Sequence, residues 1–589
     1  MRKVPTGLIV VAVATIAAAA CNDALSVSNP NNPNVNQVLS TATDIEAVFA
    51  QGFLQYGFTS SGVHTNNLSP QLNAMSFENY GNVANFDMVY RAAIPRKFID
   101  NSVNNSGSDV HYADFQNMQK LARTLSTAIA RLDQFIASGK TLGSATQNAR
   151  ARAWGFFELG LALGSTALFY DSAAVVYPST PTIGASPPLA SYTDVMKAAL
   201  GDLDTALAIA STSGSSSAFT ASWINGLSVD GPTFIKIVRS FKARFRAGVA
   251  RSPAERAAVD WDQVIADATS GIDSNLVVQL SIQAGWQQRE LTNAYRYQGW
   301  GDASMMYLGM ADTSGQYDAW LGTSMPNRQP FLIQSPDSRW PFGTTRDEQT
   351  ALSGGSNGVP GKTGLYFRNR PAGEDPPGDP WGNSFYDHFR FRYITVNNSD
   401  NAGPWIEMAK AEMNLLAAEG YIRKGDYVSA APLIDSSRTK HDLPPLSGYV
   451  SDGTTPVPGA KYAAILDTVQ KKDPNDSTKT ITVNDTIGYK MTAVVPGASD
   501  CVPRVPVGPS GPTVCGNMME ALKYEYRLET YFTGYGQWFQ AERGWGDLVE
   551  GTPLQFPVPY QEMQVRQHPF YNLGGVGQPS SAAKGTYGF

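Results

Sequence analysis

Apolar residues recur at helical spacing in segments that come in pairs along the chain. In one such segment Phe115, Leu121 and Leu125 share a face, as expected for an amphipathic helix. Thr43 and Glu46 have the spacing of a capping box and predict the start of the first helix. The periodicity predicts four helix pairs, at about residues 43–137, 147–210, 234–272 and 404–439.

The fourth pair carries the most local detail. Its helices are predicted from Pro404 to Lys424 and from Asp426 to Thr439, with a tight turn at Gly425 between them. Tyr427 followed by Ala430 places a small residue one turn after a bulky one, a spacing typical of tetratricopeptide hairpins. A generic helix hairpin accounts for the segment equally well.

Four pairs at irregular intervals predict a mainly α fold, a short solenoid of tetratricopeptide-like repeats with large loop-rich insertions and a minor β component. The insertions span about 273–403 and 445–516, and 517–589 closes the chain. The first insertion is dense in Gly and Pro, so its five tryptophans are expected on loops. In the second, the alternating stretch KTITVND predicts a hairpin strand.

The N-terminus has the pattern of an export signal. Arg2 and Lys3 precede an apolar stretch, and small residues lead into Cys21, so residues 1–20 are predicted to be a signal peptide. Cys21 is then the expected site of acyl chains, palmitate among them, and residues 21–40 a flexible tether. An ordinary signal peptide followed by an incidental cysteine is the alternative. We expect residues 41–589 to form a single domain, attached to the membrane through lipid alone.

The other two cysteines, Cys501 and Cys515, flank a short Pro-rich and Gly-rich segment. In an oxidising compartment they are expected to form a disulfide. A metal site is the weaker alternative, since none of the five histidines has a partner at helical ligand spacing. The formal net charge of −6 argues against a nucleic-acid partner.

Several segments resemble the SusD/RagB family of outer-membrane lipoproteins. The stretch MAKAEMNLLAAEGYIRKGDYVSAA is similar to a late repeat of that family, with Glu412 and Glu419 at its acidic positions. The strongest resemblance is C-terminal, where ALKYEYRLETYF is followed by Asp547–Leu548 and by FPVPYQEM. The segment TYFTGYGQW departs from the family pattern.

The resemblance implies a fold of four tetratricopeptide-like units with loop-rich insertions. It also implies a function: capturing an oligosaccharide or a peptide at the cell surface and delivering it to a TonB-dependent, SusC-like barrel of the outer membrane. We therefore expect a nutrient-binding protein with no cofactor and no enzymatic activity.

Loop aromatics beside polar side chains suit sugar binding, because a ring face stacks on the apolar face of a pyranose. The same aromatics more often pin a loop to the protein body. The predicted ligand contacts are Tyr80, Asn82, Tyr90, Arg91, Tyr295, Tyr297, Trp300, Asp302 and Trp320.

Two other functions are compatible with the sequence. A glycoside hydrolase needs two carboxylates at defined separation, and Asp302, Asp312, Asp318 and Glu374 are available in the first insertion. Nothing in the sequence brings two of them together, and no nucleotide-binding, zinc or nucleophile-elbow motif occurs in a convincing setting. A scaffold that binds only proteins is the third possibility, since helical repeats commonly bind proteins.

Overall fold

The computed structural model describes residues 39–61, 67–105, 107–180, 186–288, 301–353, 364–376, 381–396, 400–473 and 476–589. Cys21, the predicted signal peptide and most of the tether lie outside these ranges. In the first half of the chain the helices are α1 (Ala42–Ser60), α2 (Ser69–Met75), α3 (Met88–Ala92), α4 (Ser108–Ala137), α5 (Ala145–Phe169), α6 (Tyr192–Ser213), α7 (Gly231–Gly248), α8 (Pro253–Ala257) and α9 (Trp261–Thr269).

Short helices dominate the first insertion, and long ones return after it. These are α10 (Met305–Leu308), α11 (Gln316–Gly322), α12 (Arg346–Leu352), α13 (Arg392–Val396), α14 (Lys410–Arg423), α15 (Tyr427–Arg438), α16 (Met518–Thr530), α17 (Gln537–Trp545) and α18 (Tyr560–Val565).

The described strands pair in antiparallel twos, and all but two of them are short. The pairs are β1 (Tyr80–Gly81) with β5 (Gly301–Asp302), β2 (Ser172–Ala174) with β3 (Leu189–Ser191), β4 (Leu276–Leu280) with β8 (Gly403–Met408), β6 (Phe367–Asn369) with β7 (Tyr386–His388), β9 (Gly459–Asp473) with β10 (Asp476–Val495), and β11 (Arg504–Pro506) with β12 (Thr513–Cys515). The predicted mainly α fold with a minor β component is confirmed.

The long helices stack in series. Within the four predicted pairs α1 packs on α4, α5 on α6, α7 on α9 and α14 on α15. Successive pairs are joined because α4 packs on α5, α6 on α7 and α9 on α14. Close approach is built into the sequence: a Cβ atom at Gly164 would lie 2.2 Å from the Phe245 ring. The four tetratricopeptide-like helix pairs are therefore present as predicted.

Local capping signals fix several helix ends. The Ser191 hydroxyl accepts from the Asp194 amide at 3.2 Å and starts α6. Between α14 and α15, Gly425 has a φ of +77°, which a glycine adopts without strain, and the Asp426 carboxylate accepts from the Ser429 amide at 3.1 Å. The turn at Gly425 and the start of α15 agree with the sequence prediction.

Two predicted boundaries are wrong. The capping box of α1 is formed by Thr41 and Asp44, because the Thr41 hydroxyl accepts from the Asp44 amide at 3.2 Å, while Glu46 pairs with Arg150. The predicted helix from Pro404 begins only at Lys410, since the preceding residues form β8 and pair with β4.

Buried arginine–carboxylate pairs tie the helices together. Arg244 on α7 donates to both carboxylate oxygens of Glu412 on α14, each at 2.7 Å. Arg256 on α8 holds Glu419 in the same bidentate way at 2.9 and 2.6 Å. All four side chains are buried. A buried ion pair contributes little net stability, but losing one partner leaves an uncompensated charge in the interior.

Replacing Glu419 with Ala is expected to lower the free energy of unfolding by about 3–5 kcal/mol, because the Arg256 guanidinium loses its partner in the interior. Urea unfolding measures the change. The matched control is Asp262→Ala, which removes the partner of Lys424 from an exposed pair and should change little. Equal losses in the two variants would contradict the assignment.

The same carboxylate predicts an acid dependence. Burial opposes the charge of Glu419, but Arg256 and Arg423 outweigh it and lower the pKa from 4.5 to about 2. A depressed pKa stabilises the folded state above pH 4.5, and this contribution is lost as the pH falls toward 2. The difference in stability between the wild-type protein and Glu419→Ala should therefore shrink across that window, as measured by urea unfolding.

Candidate functional site

The predicted ligand contacts divide into three groups. Tyr295, Tyr297 and Trp300 lie outside the described residues. Tyr80, Asn82 and Asp302 come together, because β1 and β5 place Tyr80 opposite Asp302 and the Asn82 side-chain amide donates to Asp302 at 3.3 Å. The remaining three residues, Tyr90, Arg91 and Trp320, lie at other positions.

The Tyr80–Asp302 meeting point is buried. Tyr80 is 3% exposed and contacts the Trp381 ring edge-on at 5.2 Å. Asp302 pairs with Arg370 at 3.2 Å and accepts from the Ser384 amide at 2.8 Å. Burial raises the pKa of Asp302 to about 7, although Arg370 opposes the shift. These contacts join the N-terminal region to the first insertion.

Tyr90 is the most exposed of the described candidates, with 47% of its surface accessible. Arg91 is buried and donates to the Phe98 carbonyl at 3.3 Å. Trp320 was expected on a loop but lies in α11, where it is 4% exposed and the Arg328 guanidinium stands 4.2 Å above its ring. The loop placement of Trp320 is therefore wrong, because the short helix turns the ring into the core.

A different part of the molecule carries an open cleft. It lies between the β9–β10 hairpin and the loop formed by residues 334–344, and we call it the hairpin cleft. It consists of two adjoining pockets. The first pocket has a volume of about 440 Å³ and is lined by Thr313, Ser314, Gln334, Ser335, Pro336, Pro341, Phe342, Gly343, Thr344, Ala460, Tyr462, Tyr489 and Asp500.

The second pocket lies further along the hairpin and has a volume of about 410 Å³. Its lining is Ser335, Pro336, Asp337, Ser338, Trp340, Pro341, Phe342, Leu352, Leu365, Asp442, Ile465, Asp467, Ile487, Gly488 and Tyr489. Both volumes are in the range of ligand-binding cavities.

Three aromatic rings give the hairpin cleft its apolar surface. Phe342 from the loop meets Tyr489 from β10 edge-on, with 4.9 Å between ring centroids. Tyr462 from β9 lies 6.2 Å from Tyr489. Tyr489 remains 38% exposed, so part of its surface is available to a ligand.

Carboxylates supply the charge of the hairpin cleft. In the first pocket, the buried Oδ1 atom of Asp500 has no hydrogen-bond partner among the described residues. In the second, Asp442 and Asp467 line the wall. Burial raises the pKa of Asp442, and Lys490 opposes that shift. The Met491 amide on β10 also opposes the rise in the pKa of Asp442.

The floor of the second pocket rests on a buried ionic network. Asp337 pairs with Arg339 at 2.7 Å, and Arg339 also reaches Glu525 on α16 at 2.8 Å. Burial opposes the charge of Asp337, but Arg339 outweighs it and lowers the pKa. The Trp340 ring stacks on Phe367 at 4.0 Å beside this network. The loop side of the hairpin cleft is therefore held firmly.

The Cys501–Cys515 disulfide closes the root of the hairpin, and the predicted pairing is confirmed. The Cα atoms are 5.7 Å apart. Next to it, Thr513 donates its amide to Asp318 at 2.6 Å, which attaches the root to α11. Asp500 directly precedes Cys501, so the disulfide holds part of the first pocket in place.

The carboxylates considered for hydrolysis are engaged in structural contacts. Asp312 accepts from the amides of Tyr317 and Gln334, at 3.2 and 3.0 Å. Asp318 accepts from Thr513, and Glu374 pairs with Arg368 at 2.8 Å. Together with the Asp302–Arg370 pair, these contacts account for all four candidates. None of the four lines either pocket.

Within the described ranges, no cluster of three or more His, Cys, Asp or Glu side chains is arranged to hold a metal ion. Over the same part of the chain, no helix combines the length and apolar character that a bilayer crossing requires.

Comparison with protein-family models finds no match, and comparison with curated proteins finds none either. Solved structures do resemble the chain. A SusD superfamily protein from Bacteroides vulgatus is 11% identical, with a TM-score of 0.48, over 87% of this chain and 89% of that one. A laminarin-binding SusD-like protein is 12% identical, with a TM-score of 0.44, over 91% and 99%.

A SusD/RagB family protein from Bacteroides thetaiotaomicron is 13% identical, with a TM-score of 0.38, over 67% of this chain and 72% of that one. All three of these solved chains are SusD-like proteins. At these identities and TM-scores, the function of this chain has to be argued from its own residues.

Sequence reasoning missed the aromatic residues of the hairpin cleft. Phe342 lies two residues after Trp340 in the tryptophan-rich insertion, and this cluster of aromatic residues could have indicated the loop side of the cleft. The alternating stretch KTITVND correctly indicated a strand and falls within β10. Tyr462 and Tyr489 are brought to one place only by the pairing of β9 with β10.

Replacing both Cys501 and Cys515 with Ser should lower the free energy of unfolding by about 3 kcal/mol, because the disulfide closes a loop with a sequence separation of 14 residues. Guanidinium unfolding measures the loss. Hydrogen exchange should also become faster at the hairpin root while α4 and α5 keep their protection. Unchanged exchange at the root would contradict an anchoring role.

Proposed function

We propose that this protein is a SusD-like, lipid-anchored protein of the outer membrane that binds an oligosaccharide in the hairpin cleft. The observation that carries the proposal is the lining of the cleft, where aromatic surface stands beside hydrogen-bond acceptors. Sugars offer both apolar ring faces and hydroxyl donors. A cleft with exposed tyrosine and carboxylate oxygen complements both at once.

Tyr489 has the central part in this proposal. It lines both pockets, is partly exposed and is held against Phe342. A sugar ring that stacks on an aromatic side chain gains contact area without immobilising a flexible chain, since tyrosine has few rotatable bonds. The Asp467 side chain is exposed and lines the second pocket, so its carboxylate can accept a hydrogen bond from a sugar hydroxyl.

We propose that the ligand is held and not cleaved. The four carboxylates considered for hydrolysis are all engaged in structural contacts. From the family resemblance we propose that the bound nutrient is delivered to a SusC-like, TonB-dependent barrel. The lipid on Cys21 keeps the protein at the membrane, and the cleft faces the cell surface.

A peptide is the second candidate ligand. Asp442, Asp467 and Asp500 give the hairpin cleft a negative lining that would attract basic side chains. We favour the oligosaccharide because the aromatic surface lies between these carboxylates, at the centre of the cleft. The predicted contacts Tyr80, Asn82, Tyr90, Arg91, Tyr295, Tyr297, Trp300, Asp302 and Trp320 remain a hypothesis for a separate ligand surface.

Tyr489→Ala is expected to weaken oligosaccharide binding about tenfold or more, because the stacking surface shared by both pockets is lost. Titration calorimetry with a panel of glycans, laminarin included, measures the affinity, and a reducing-sugar assay tests for cleavage. Tyr449→Ala is the matched control, since Tyr449 is 42% exposed and lines neither pocket. Unaltered glycan affinity in Tyr489→Ala would exclude the hairpin cleft as the binding site.

Cys21→Ala is expected to release the protein from the membrane, because the acyl chains attach to that cysteine. Fractionation of cells that express the wild-type or the variant chain, followed by immunodetection, measures retention. A variant that stays fully in the outer-membrane fraction would contradict lipid anchoring.

A further inference from the structure

The two pockets of the hairpin cleft lie side by side, and together we call them the groove. They share the residues of the loop and the central ring of the hairpin: Ser335, Pro336, Pro341, Phe342 and Tyr489. The first pocket continues toward the hairpin root, where Asp500 lies, and the second continues along the strands past Ile465 and Asp467. Tyr489, which is 38% exposed, and its ring partner Phe342 therefore stand between the two pockets.

Each pocket is large enough for a small ligand on its own, at about 440 and 410 Å³. A ligand of one unit would occupy one side of Tyr489 and leave the other side to water. A linear oligomer can fill both pockets and cover the ring between them. The form of the groove thus favours a chain that crosses Tyr489.

The charge of the groove limits the chemistry of that chain. The charged residues that line it are all acidic: Asp500 in the first pocket, and Asp337, Asp442 and Asp467 in the second. Arg339 neutralises Asp337, and Lys490 lies close to Asp442 on the hairpin. None of the described ion pairs includes Asp467 or Asp500. Carboxylates repel uronate or sulfate groups but accept hydrogen bonds from neutral hydroxyls.

Resting on the proposed function, we infer that the hairpin cleft selects a neutral polysaccharide and binds a segment that crosses Tyr489 and fills both pockets. Chains bearing uronate or sulfate groups are excluded by the carboxylates on either side of the ring. Oligomers too short to span the ring bind weakly, because only one pocket is filled.

Chain length provides the first test. Titration calorimetry is carried out with neutral gluco-oligosaccharides of increasing length and with size-matched oligogalacturonides, at low salt and at about 0.15 M salt. Affinity for the neutral series should rise about tenfold once the oligomer spans both pockets and then level off. The oligogalacturonides should bind at least tenfold more weakly, with a smaller deficit at the higher salt concentration. Affinity independent of length, or an anionic series that binds as tightly, would overturn the inference.

Filling one pocket at a time provides the second test. Thr344 lines only the first pocket and Ile465 only the second. Thr344→Trp and Ile465→Trp should each reduce the affinity for a long oligomer to that for a short one. If one of them leaves the long oligomer unaffected, the ligand occupies a single pocket and the inference is wrong.

A variant in which two carboxylates are neutralised tests the selection by charge. Asp467→Asn combined with Asp500→Asn should bring oligogalacturonide binding at least fivefold closer to that of the neutral series. Asp273→Asn is the control, because Asp273 is exposed and lines neither pocket. An unchanged ratio of affinities would remove the basis for charge selection.

The outcomes separate the inference from the proposed function. If anionic glycans bind and Tyr489→Ala abolishes their binding, the proposed function stands and the inference fails. If no glycan in either series binds but a Lys-rich peptide binds through Tyr489, both fail and the groove is a peptide site.

Discussion

Arginine side chains buried with their carboxylate partners are the interaction on which the rest of the structure depends. Arg244 joins α7 to Glu412 on α14, and Arg339 joins the loop beneath the hairpin cleft to Glu525 on α16. Since a buried guanidinium without its partner is costly, each pair permits one relative placement of the elements that it joins. The order of the helical stack and the position of the loop are fixed by the same kind of contact.

The two walls of the hairpin cleft differ in how firmly they are held. The loop wall rests on Arg339 and on the stacked Trp340 and Phe367 rings, inside the core. The hairpin wall is a two-stranded ribbon, a structure that has little stability by itself. It is held at its root by the disulfide and along its length by the Phe342–Tyr489 contact.

The sequence predicts the parts of this molecule that are determined locally. Helical periodicity identifies the four pairs, and Ser191 and Gly425 mark helix ends because their signals act over a few residues. The sequence placed Trp320 on a loop because a helix of seven residues is too short to be distinguished from a loop by periodicity. The start of α1 was predicted at Thr43 instead of Thr41, because each of these threonines is followed three residues later by an acidic residue.

The candidate site could not be predicted from the sequence, because its residues come from segments that are distant along the chain. Tyr462 and Tyr489 meet through hairpin register, and Phe342 comes from a distant insertion. The meeting of Tyr80 with Asp302 is equally non-local, although each was singled out by its neighbours in sequence. Contacts between insertions depend on how the helical frame places them, and this placement cannot be predicted from any single segment of the sequence.

The attachment of the hairpin has a consequence for diversification. Its strands contribute exposed side chains such as Leu466 and Lys490, while the ionic pairs of the frame lie in other segments. Substitutions or length changes between residues 459 and 495 are therefore expected to have little effect on the folding of the helical body. A lineage could acquire a new cargo by remodelling one ribbon while inheriting the rest of the chain unchanged.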